Sequence, residues 1–140
     1  MGLELADIDV DDRRARLQAV WSVRWGGVSR EDFGLDLDTG SAFALLLPKA
    51  KFPDVWESGT MIAPVRTLGG KMPARQLDGV LSLFDGRFRV PIDITVADIT
   101  SESALLGLPV LRRFDLLLRG PQPDQLRRPV LAYPQGLQIR

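Results

Sequence analysis

The segment Asp38-Thr39-Gly40-Ser41 places an acid, a small hydroxyl residue and a glycine between two apolar runs. The first run, 33–37, predicts a strand that leads into the acid, and the second, 42–48, predicts a buried strand that follows it. This arrangement puts the Asp38 carboxylate on a tight turn at the end of a strand. A carboxylate that is held still and partly screened from solvent can act as a general base on a water molecule.

Each neighbour of Asp38 has a predicted task in holding this carboxylate. Gly40 lets the backbone pass close behind the acid, and the Thr39 hydroxyl can bond across to a partner loop. Ser41 can donate a hydrogen bond to the carboxylate and so favour its ionised form. The alternative interpretation is a surface turn, because Asp and Gly are common turn residues and a tripeptide has low specificity.

Hydrolysis by carboxylates requires a pair of them that shares one proton, so that one acts as base and the other as acid. The sequence contains Asp-Thr-Gly only once. The second carboxylate must therefore come from another copy of the chain. This requirement predicts a symmetric homodimer with the site on its two-fold axis.

The composition excludes several other chemistries. The chain of 140 residues has no cysteine and no histidine, which excludes disulfides, thiolate catalysis, a Ser-His-Asp triad and His- or Cys-ligated metals within it. Neither Gly26-Gly27 nor Gly69-Gly70 has the spacing of a nucleotide-binding loop. We therefore expect no metal and no cofactor, and carboxylates are the leading candidates for acid–base groups.

Charge and hydropathy predict the partners and the compartment. The net charge is zero and the charges are well mixed, so we expect no nucleic-acid partner and no membrane partner. No apolar run is long enough to span a bilayer, and the N-terminus lacks the basic and apolar regions of a signal peptide. A cytoplasmic location is the resulting expectation, for this chain or for a longer protein that contains it.

Two predicted hairpins position the acid and cover it. The first joins a strand at 17–25 to a strand at 33–38 through a turn at Gly26-Gly27, and it delivers Asp38 to its end. The second spans 61–75 with Gly69-Gly70 at its tip. It is interpreted either as an ordinary surface hairpin or as a flap that closes over a bound peptide.

The remaining signals predict a third hairpin and a short helix. The third hairpin turns at Asp85-Gly86, and Pro91 in its return strand predicts an edge position or a bulge. Leu105-Leu106-Gly107 leads into a short helix with Pro109 in its first turn. Residues 48–60 are predicted to be irregular.

Taken in chain order, these pieces resemble the retropepsin-like aspartic proteases, which are the retroviral proteases and their single-domain bacterial and eukaryotic relatives. The resemblance covers about residues 17–119. It rests on Asp38-Thr39-Gly40-Ser41, Leu45-Leu46-Leu47-Pro48, the Gly69-Gly70 and Asp85-Gly86 hairpins, and Leu105-Leu106-Gly107. It implies an all-β, barrel-like fold with one short C-terminal helix, which forms a homodimer and cleaves peptide bonds in peptide or protein substrates without a metal.

The resemblance also implies roles for individual residues. Asp38 would be the catalytic acid and base, Thr39 would bond across the dimer axis, and Gly40 would touch the substrate backbone. Ser41 would support the catalytic loop. The residues of the flap that would bind substrate are Leu68, Gly69, Gly70 and Met72.

Within this interpretation we expect a charged N-terminal arm or short edge strand at 1–16, a protease domain at 17–119 and a C-terminal tail at 120–140. The segments 3–10 and 130–139 are the candidates for a strand at the dimer interface. The tryptophans are interpreted as core or dimer contacts rather than as a ligand platform; they are Trp21, Trp25 and Trp56.

Two departures from the family pattern keep alternatives open. Pro109 stands where the family often carries an acidic or amide residue, and the predicted flap has no aromatic residue. One alternative is a catalytically weak or inactive module on the same fold, which would hold an extended peptide by strand addition. Another is an unrelated small β-barrel in which the Asp38 motif arose by chance.

Overall fold

The structure is a computed structural model that describes residues 4–10, 15–67, 69–117 and 130–132. Within these residues the chain forms short and medium strands with two short helices. In chain order they are β1 (Glu4–Val10), β2 (Ala15–Trp25), β3 (Val28–Asp38), β4 (Leu45–Pro48), α1 (Pro53–Ser58), β5 (Thr60–Met61), β6 (Val65–Thr67), β7 (Gly70–Met72), β8 (Ala74–Leu83), β9 (Phe88–Ala97), β10 (Leu105–Gly107), α2 (Leu108–Leu111), β11 (Asp115–Leu117) and β12 (Val130–Ala132).

Most strands belong to a single sheet that closes on itself. Ten strands pair in the order β11-β12-β1-β2-β3-β10-β4-β9-β8-β5, and β2 pairs additionally with β8. That extra pairing closes β2, β3, β10, β4, β9 and β8 into a barrel. Strands β6 and β7 form a separate two-stranded sheet. The predicted barrel-like, mainly β architecture is confirmed.

The first predicted hairpin is present and ends at Asp38. Gly26 and Gly27 have φ angles of 50° and 82°, as a two-residue type I′ turn requires. A bulge interrupts the β2–β3 ladder between Leu17 and Val20. The residue on the β3 side of this bulge is Gly34, whose φ is 78° and whose carbonyl oxygen accepts a hydrogen bond of 2.9 Å from the Trp21 indole.

The barrel interior is filled by aliphatic and aromatic side chains, and it includes all three tryptophans. Trp21, Trp25 and Trp56 are 1%, 7% and 8% exposed and belong to one buried cluster. The core-packing interpretation of these residues is therefore confirmed. Strand β4 is buried along its whole length. Leu45 and Leu47 pack in the main core and Leu46 packs in a smaller cluster, so both faces of the strand are covered. Its continuous apolar run is typical of such an enclosed strand.

The third hairpin turns at Asp85-Gly86 as predicted. The amide of Arg87 donates to the Phe84 carbonyl across this turn at 3.1 Å. Pro91 pairs with Val80 of β8, and the β8–β9 ladder runs without a register shift. Since β4 pairs with β9 only from Ile94 onwards, the described part of the sheet leaves 88–93 without a strand on its other edge. The edge position is confirmed and the bulge is not observed.

Helix α1 was not expected in the segment predicted to be irregular. Pro53 occupies its first turn and Gly59 follows its end, and its buried residues are Val55 and Trp56. Proline at the start and glycine just past the end are the ordinary signals of a helix. The sequence therefore carried the signal, and the prediction missed it. The described residues form no helix of the length and apolarity that crossing a bilayer would demand.

The two ends of the chain meet at one side of the sheet. Strand β12 lies between β1 and β11 and is antiparallel to both. Strand β1 in turn pairs with β2 through Ile8 to Val10, and the Ile8 side chain is fully buried. Segments predicted as an N-terminal arm and a C-terminal tail thus contribute strands to the same sheet as the barrel.

Candidate active site

Asp38 is the last residue of β3 and begins a hydrogen-bonded turn. The Ser41 amide donates to the Asp38 carbonyl at 3.1 Å, which closes the turn. The Gly40 amide donates to the Asp38 carboxylate oxygen Oδ1, also at 3.1 Å. The turn therefore fixes one carboxylate oxygen while the side chain stays half-buried.

The segment around Gly107 is hydrogen-bonded to the Asp38 turn and to the strand that leads into it. Strand β10 runs parallel to β3, with Leu106 paired with Leu37 and Gly107 paired with Asp38. The Leu108 amide then donates to the Ser41 carbonyl at 3.0 Å. Helix α2 thus starts from a residue that is bonded directly to the Asp38 turn. The structure thus brings together the two motifs on which the resemblance rests, Asp38-Thr39-Gly40-Ser41 and Leu105-Leu106-Gly107.

Gly107 approaches the loop after the turn more closely than any side chain would allow. Its amide donates to the Ala44 carbonyl at 3.0 Å. A Cβ atom at this position would lie 1.8 Å from the Phe43 carbonyl oxygen and 3.1 Å from the Ser41 carbonyl oxygen. The obstacle is backbone rather than a flexible side chain. Glycine at 107 is therefore a steric requirement of the site.

Ser41 has a different partner from the predicted one. We expected its hydroxyl to donate to the Asp38 carboxylate. In the structure the hydroxyl contacts the backbone of Phe43, donating to its carbonyl at 3.5 Å and accepting from its amide at 3.2 Å. Ser41 therefore shapes the loop that follows the turn, and the carboxylate receives its hydrogen bond from the Gly40 amide instead.

A cavity of about 530 Å³ opens beside the Asp38 turn. The hairpin β6–β7 forms another part of its wall. The described residues that line the cavity are Asp38, Gly40, Ser41, Ala42, Phe43, Leu46, Val65, Arg66, Thr67, Gly69, Met72, Ile99, Thr100, Ser101 and Leu105.

The predicted site residues are distributed unevenly around this cavity. The structure brings Asp38, Gly40 and Ser41 to the same space as Gly69 and Met72 of the predicted flap. Thr39 is exposed at the turn and Gly70 is exposed in β7. Leu68, also predicted as a flap residue, lies outside the described residues.

The predicted hairpin at 61–75 is present, since Met61 pairs with Arg75 and the β6–β7 ladder continues to Thr67 and Gly70, and its base packs against the barrel. Val65 of β6 is 6% exposed and packs in a small apolar cluster with Leu46 and Ala74. At the other end, the Thr67 hydroxyl donates to the Gly70 carbonyl at 2.9 Å and accepts from the Gly69 amide at 3.2 Å. The base is thus held by packing and the tip by local hydrogen bonds.

A partly buried ion pair two residues before Asp38 was not anticipated from the sequence. Asp36 is 7% exposed, and its Oδ1 accepts a hydrogen bond from Arg16 Nε at 3.1 Å. The Arg16 Nη2 atom also donates to the Ser103 hydroxyl. Because Ser103 is distant in sequence from both partners, no local pattern could have indicated this contact.

The charged groups at the cavity are few. Arg66 is the one cationic residue and Asp38 the one acidic residue among the described residues that line it. Across the parts of the chain that the structure describes, no three acidic side chains come together into a possible metal site. The acid–base group at the described cavity wall is therefore the Asp38 carboxylate, which the Gly40 amide holds.

Several solved structures resemble this chain, and two of them illustrate the likeness. One is a retropepsin-like aspartic protease from Rickettsia conorii, with 16% identity over 93% of this chain and 90% of that one, at a TM-score of 0.58. The other is the EIAV protease in complex with the inhibitor HBY-793, with 18% identity over 74% of this chain and 92% of that one, at a TM-score of 0.50. The chain has a retropepsin-like fold.

The retropepsin-like fold is evident from three-dimensional structure and not from overall sequence. No protein-family model matches the sequence, and no curated protein matches it. The motif-based resemblance is nevertheless confirmed at the level of fold. In this retropepsin-like chain the Asp38 turn, β10 and α2 form one hydrogen-bonded unit beside the cavity.

Proposed function

We propose that this chain is an aspartic endopeptidase that acts as a homodimer, with one Asp38 from each subunit forming the catalytic pair. The observation that best supports the proposal is the position of Asp38. Its carboxylate is held by the Gly40 amide on the wall of a cavity that the hairpin β6–β7 also lines. Two proteases of low identity share the fold, and one chain supplies a single such carboxylate.

The proposed reaction needs only the two carboxylates and a water molecule. The ionised Asp38 takes a proton from the water, and the water oxygen forms a bond to the carbonyl carbon of the peptide. The protonated Asp38 gives its proton as the C–N bond breaks, so that the amine leaves in a stable form. The pair therefore starts and ends the cycle with one shared proton.

The proposal assigns tasks to the residues around this pair. Gly40 contacts the substrate backbone, and Thr39 bonds across the two-fold axis. Ser41 supports the loop, and the hairpin that carries Gly69 and Met72 covers the bound peptide. Leu68 and Gly70 at its tip belong to the same flap.

The subunit arrangement also belongs to the proposal. The protease domain spans 17–119, and the flanking segments 1–16 and 120–140 are its arm and tail. The segments 3–10 and 130–139 remain the candidates for the subunit interface. Because two carboxylates close together resist being ionised at once, activity is expected to favour mildly acidic solution.

The direct test is cleavage of a diverse peptide mixture, read by mass spectrometry. The native chain is used at high concentration between about pH 4 and 7, where a carboxylate pair can share one proton. Asp38→Asn should abolish cleavage. Asp78→Asn is the matched control, because Asp78 is an exposed acid in β8 and its replacement should leave cleavage unchanged.

An inactive peptide-binding module on the same fold is the second candidate. The presence of a single Asp38 per chain favours it if the chain does not dimerise. A monomer in sedimentation of the native chain would favour the module, whereas a dimer is compatible with both candidates and leaves the cleavage assay to separate them. A stable dimer that binds peptides and never cuts them would support the module and overturn the endopeptidase.

A further inference from the structure

We propose that Arg16 is a positioning residue for the Asp38 reaction. Its guanidinium joins the strand that carries the catalytic carboxylate to the loop that forms a wall of the cavity. This inference rests on the proposed endopeptidase function, and it assigns to that site a residue outside both family motifs.

The contacts of Arg16 connect three parts of the barrel. Arg16 lies in β2 and pairs across the ladder with Asp36 of β3. Its Nε donates to Asp36 Oδ1 at 3.1 Å, and its Nη2 donates to the Ser103 hydroxyl in the segment before β10. A single planar group therefore fixes the relative positions of β2, β3 and the start of β10.

Asp36 lies on the same face of β3 as Asp38. Alternate residues of a strand share a face, and two residues span about 7 Å along it. The opposite face carries Leu35 and Leu37, which pack in the core. Asp36 is further held by its amide, which donates to the Ala104 carbonyl at 3.0 Å. The ion pair is thus the rigid neighbour of the reactive carboxylate on its own strand.

The hydrogen bonds of Arg16 also extend to the cavity, through Ser103 and then Ser101. Ser103 is 6% exposed and is bonded twice to Ser101. The Ser101 hydroxyl donates to the Ser103 carbonyl at 2.9 Å and accepts from the Ser103 amide at 3.2 Å. Ser101 lines the cavity together with Asp38. Arg16 therefore links the Asp38 strand to a wall that a bound substrate would meet.

The bulge at Gly34 makes room for the Arg16 side chain. A Cβ atom on Gly34 would lie 3.2 Å from Arg16 Cδ, and its φ of 78° is unfavourable for other residues. A side chain at position 34 would therefore press against the Arg16 stem.

The chemistry of the network calls for arginine rather than lysine. A guanidinium presents several N–H groups in a fixed fork and can bond two separate acceptors, whereas an ammonium group is a point charge on a flexible stem. Removal of Arg16 would also take one charged partner from the nearly buried Asp36 carboxylate, which is destabilising. A variant that removes both charges separates this penalty from the positioning role.

The test compares three variants with the native chain. Two carry a single substitution, Arg16→Met or Arg16→Lys. The third is a double variant that carries both Arg16→Met and Asp36→Asn. Peptide cleavage is measured as kcat and KM at a temperature where circular dichroism shows every variant folded. We expect Arg16→Met to lower kcat by roughly tenfold to a hundredfold, the loss that follows from a misplaced catalytic group, with a smaller change in KM. Arg16→Lys should recover kcat only in part.

The double variant and a control variant show whether a loss of kcat comes from lost positioning or from lost stability. The double variant should regain thermal stability while its kcat stays low. Arg30→Met is the control, because Arg30 also pairs with an aspartate, Asp54, at 2.6 Å but in an exposed pair away from the cavity; its kcat should equal that of the native chain.

Three outcomes would overturn the inference. If the native chain cleaves and Arg16→Met keeps its kcat, Arg16 has no positioning role and the endopeptidase function stands. If the double variant recovers kcat together with stability, the loss came only from an unpaired buried charge. If the native chain cleaves nothing, the proposed function fails and this inference fails with it.

Discussion

A Cβ atom on Gly107 would lie 1.8 Å from the carbonyl oxygen of Phe43. The same glycine pairs with Asp38 in the parallel β3–β10 ladder and donates its amide to Ala44. Backbone therefore meets backbone directly behind the candidate catalytic turn. Any side chain at this position would push the turn and β10 apart.

Gly107→Ala should be strongly destabilising for this reason. Because the obstructing atoms are backbone, relief requires the loop to move, and we expect a loss of about 3 kcal/mol in the free energy of unfolding. Urea unfolding followed by tryptophan fluorescence measures it. Gly69→Ala is the control, since the nearest atom there is the flexible Met72 side chain at 3.5 Å. Equal stability of the two variants would contradict the steric argument.

Val65→Ala should loosen the hairpin while leaving the barrel folded. Val65 packs in the small cluster outside the main core, so its truncation weakens the base of β6–β7 by roughly 1–2 kcal/mol. Faster hydrogen exchange at the hairpin amides, with little change at barrel amides, is the expected result. Val28→Ala, at a valine that is 47% exposed, should change neither. Uniform acceleration across the barrel would show that Val65 belongs to the global core instead.

Asp32 should contribute a pH-dependent part of the stability. Burial alone would raise the pKa of its carboxyl, but the hydrogen bonds from Lys51 and the Phe33 amide and the charges of Lys51 and Arg30 outweigh it and hold the pKa below the ordinary value of 3.8. A carboxyl with a depressed pKa stabilises the fold above its unfolded value and loses that contribution as the pH falls through its folded value.

Asp32→Asn should therefore lower the free energy of unfolding at pH 7 by no more than about 1 kcal/mol, because the Lys51 partner is partly solvated. The difference from the native chain should shrink once the pH falls below 3.8. Urea unfolding at a series of pH values measures it. Glu31→Gln, at an exposed neighbour, provides the comparison. A difference that grew on acidification would refute the ion-pair assignment.

Local signals in the sequence predicted much of the fold. The hairpin turns at Gly26-Gly27 and Asp85-Gly86 and the edge position of Pro91 follow from backbone preferences that a few adjacent residues express. The Asp38 turn and the start of α2 were predicted by motif in the same way. Helix α1 was missed although Pro53 and Gly59 mark its limits.

What the sequence could not reveal depends on contacts between distant residues. Arg16 and Ser103 lie far apart in the chain, and neither belongs to a motif, so their hydrogen bond needs the folded barrel. The predicted hydrogen bond from the Ser41 hydroxyl to the Asp38 carboxylate was wrong for a related reason. That hydroxyl has several acceptors within reach, and only the actual path of the loop to Phe43 decides among them.

Among the described residues no strand pairs with the outer edge of β9 at 88–93, and this edge bears on how the protein associates with other molecules. An exposed strand edge is a template on which strands of other molecules can add and aggregate. At 88–93 this template is poor, because Pro91 offers no N–H group and the exposed side chains of Arg89 and Asp93 stand on either side of it. Indefinite edge-to-edge growth is therefore disfavoured at this edge.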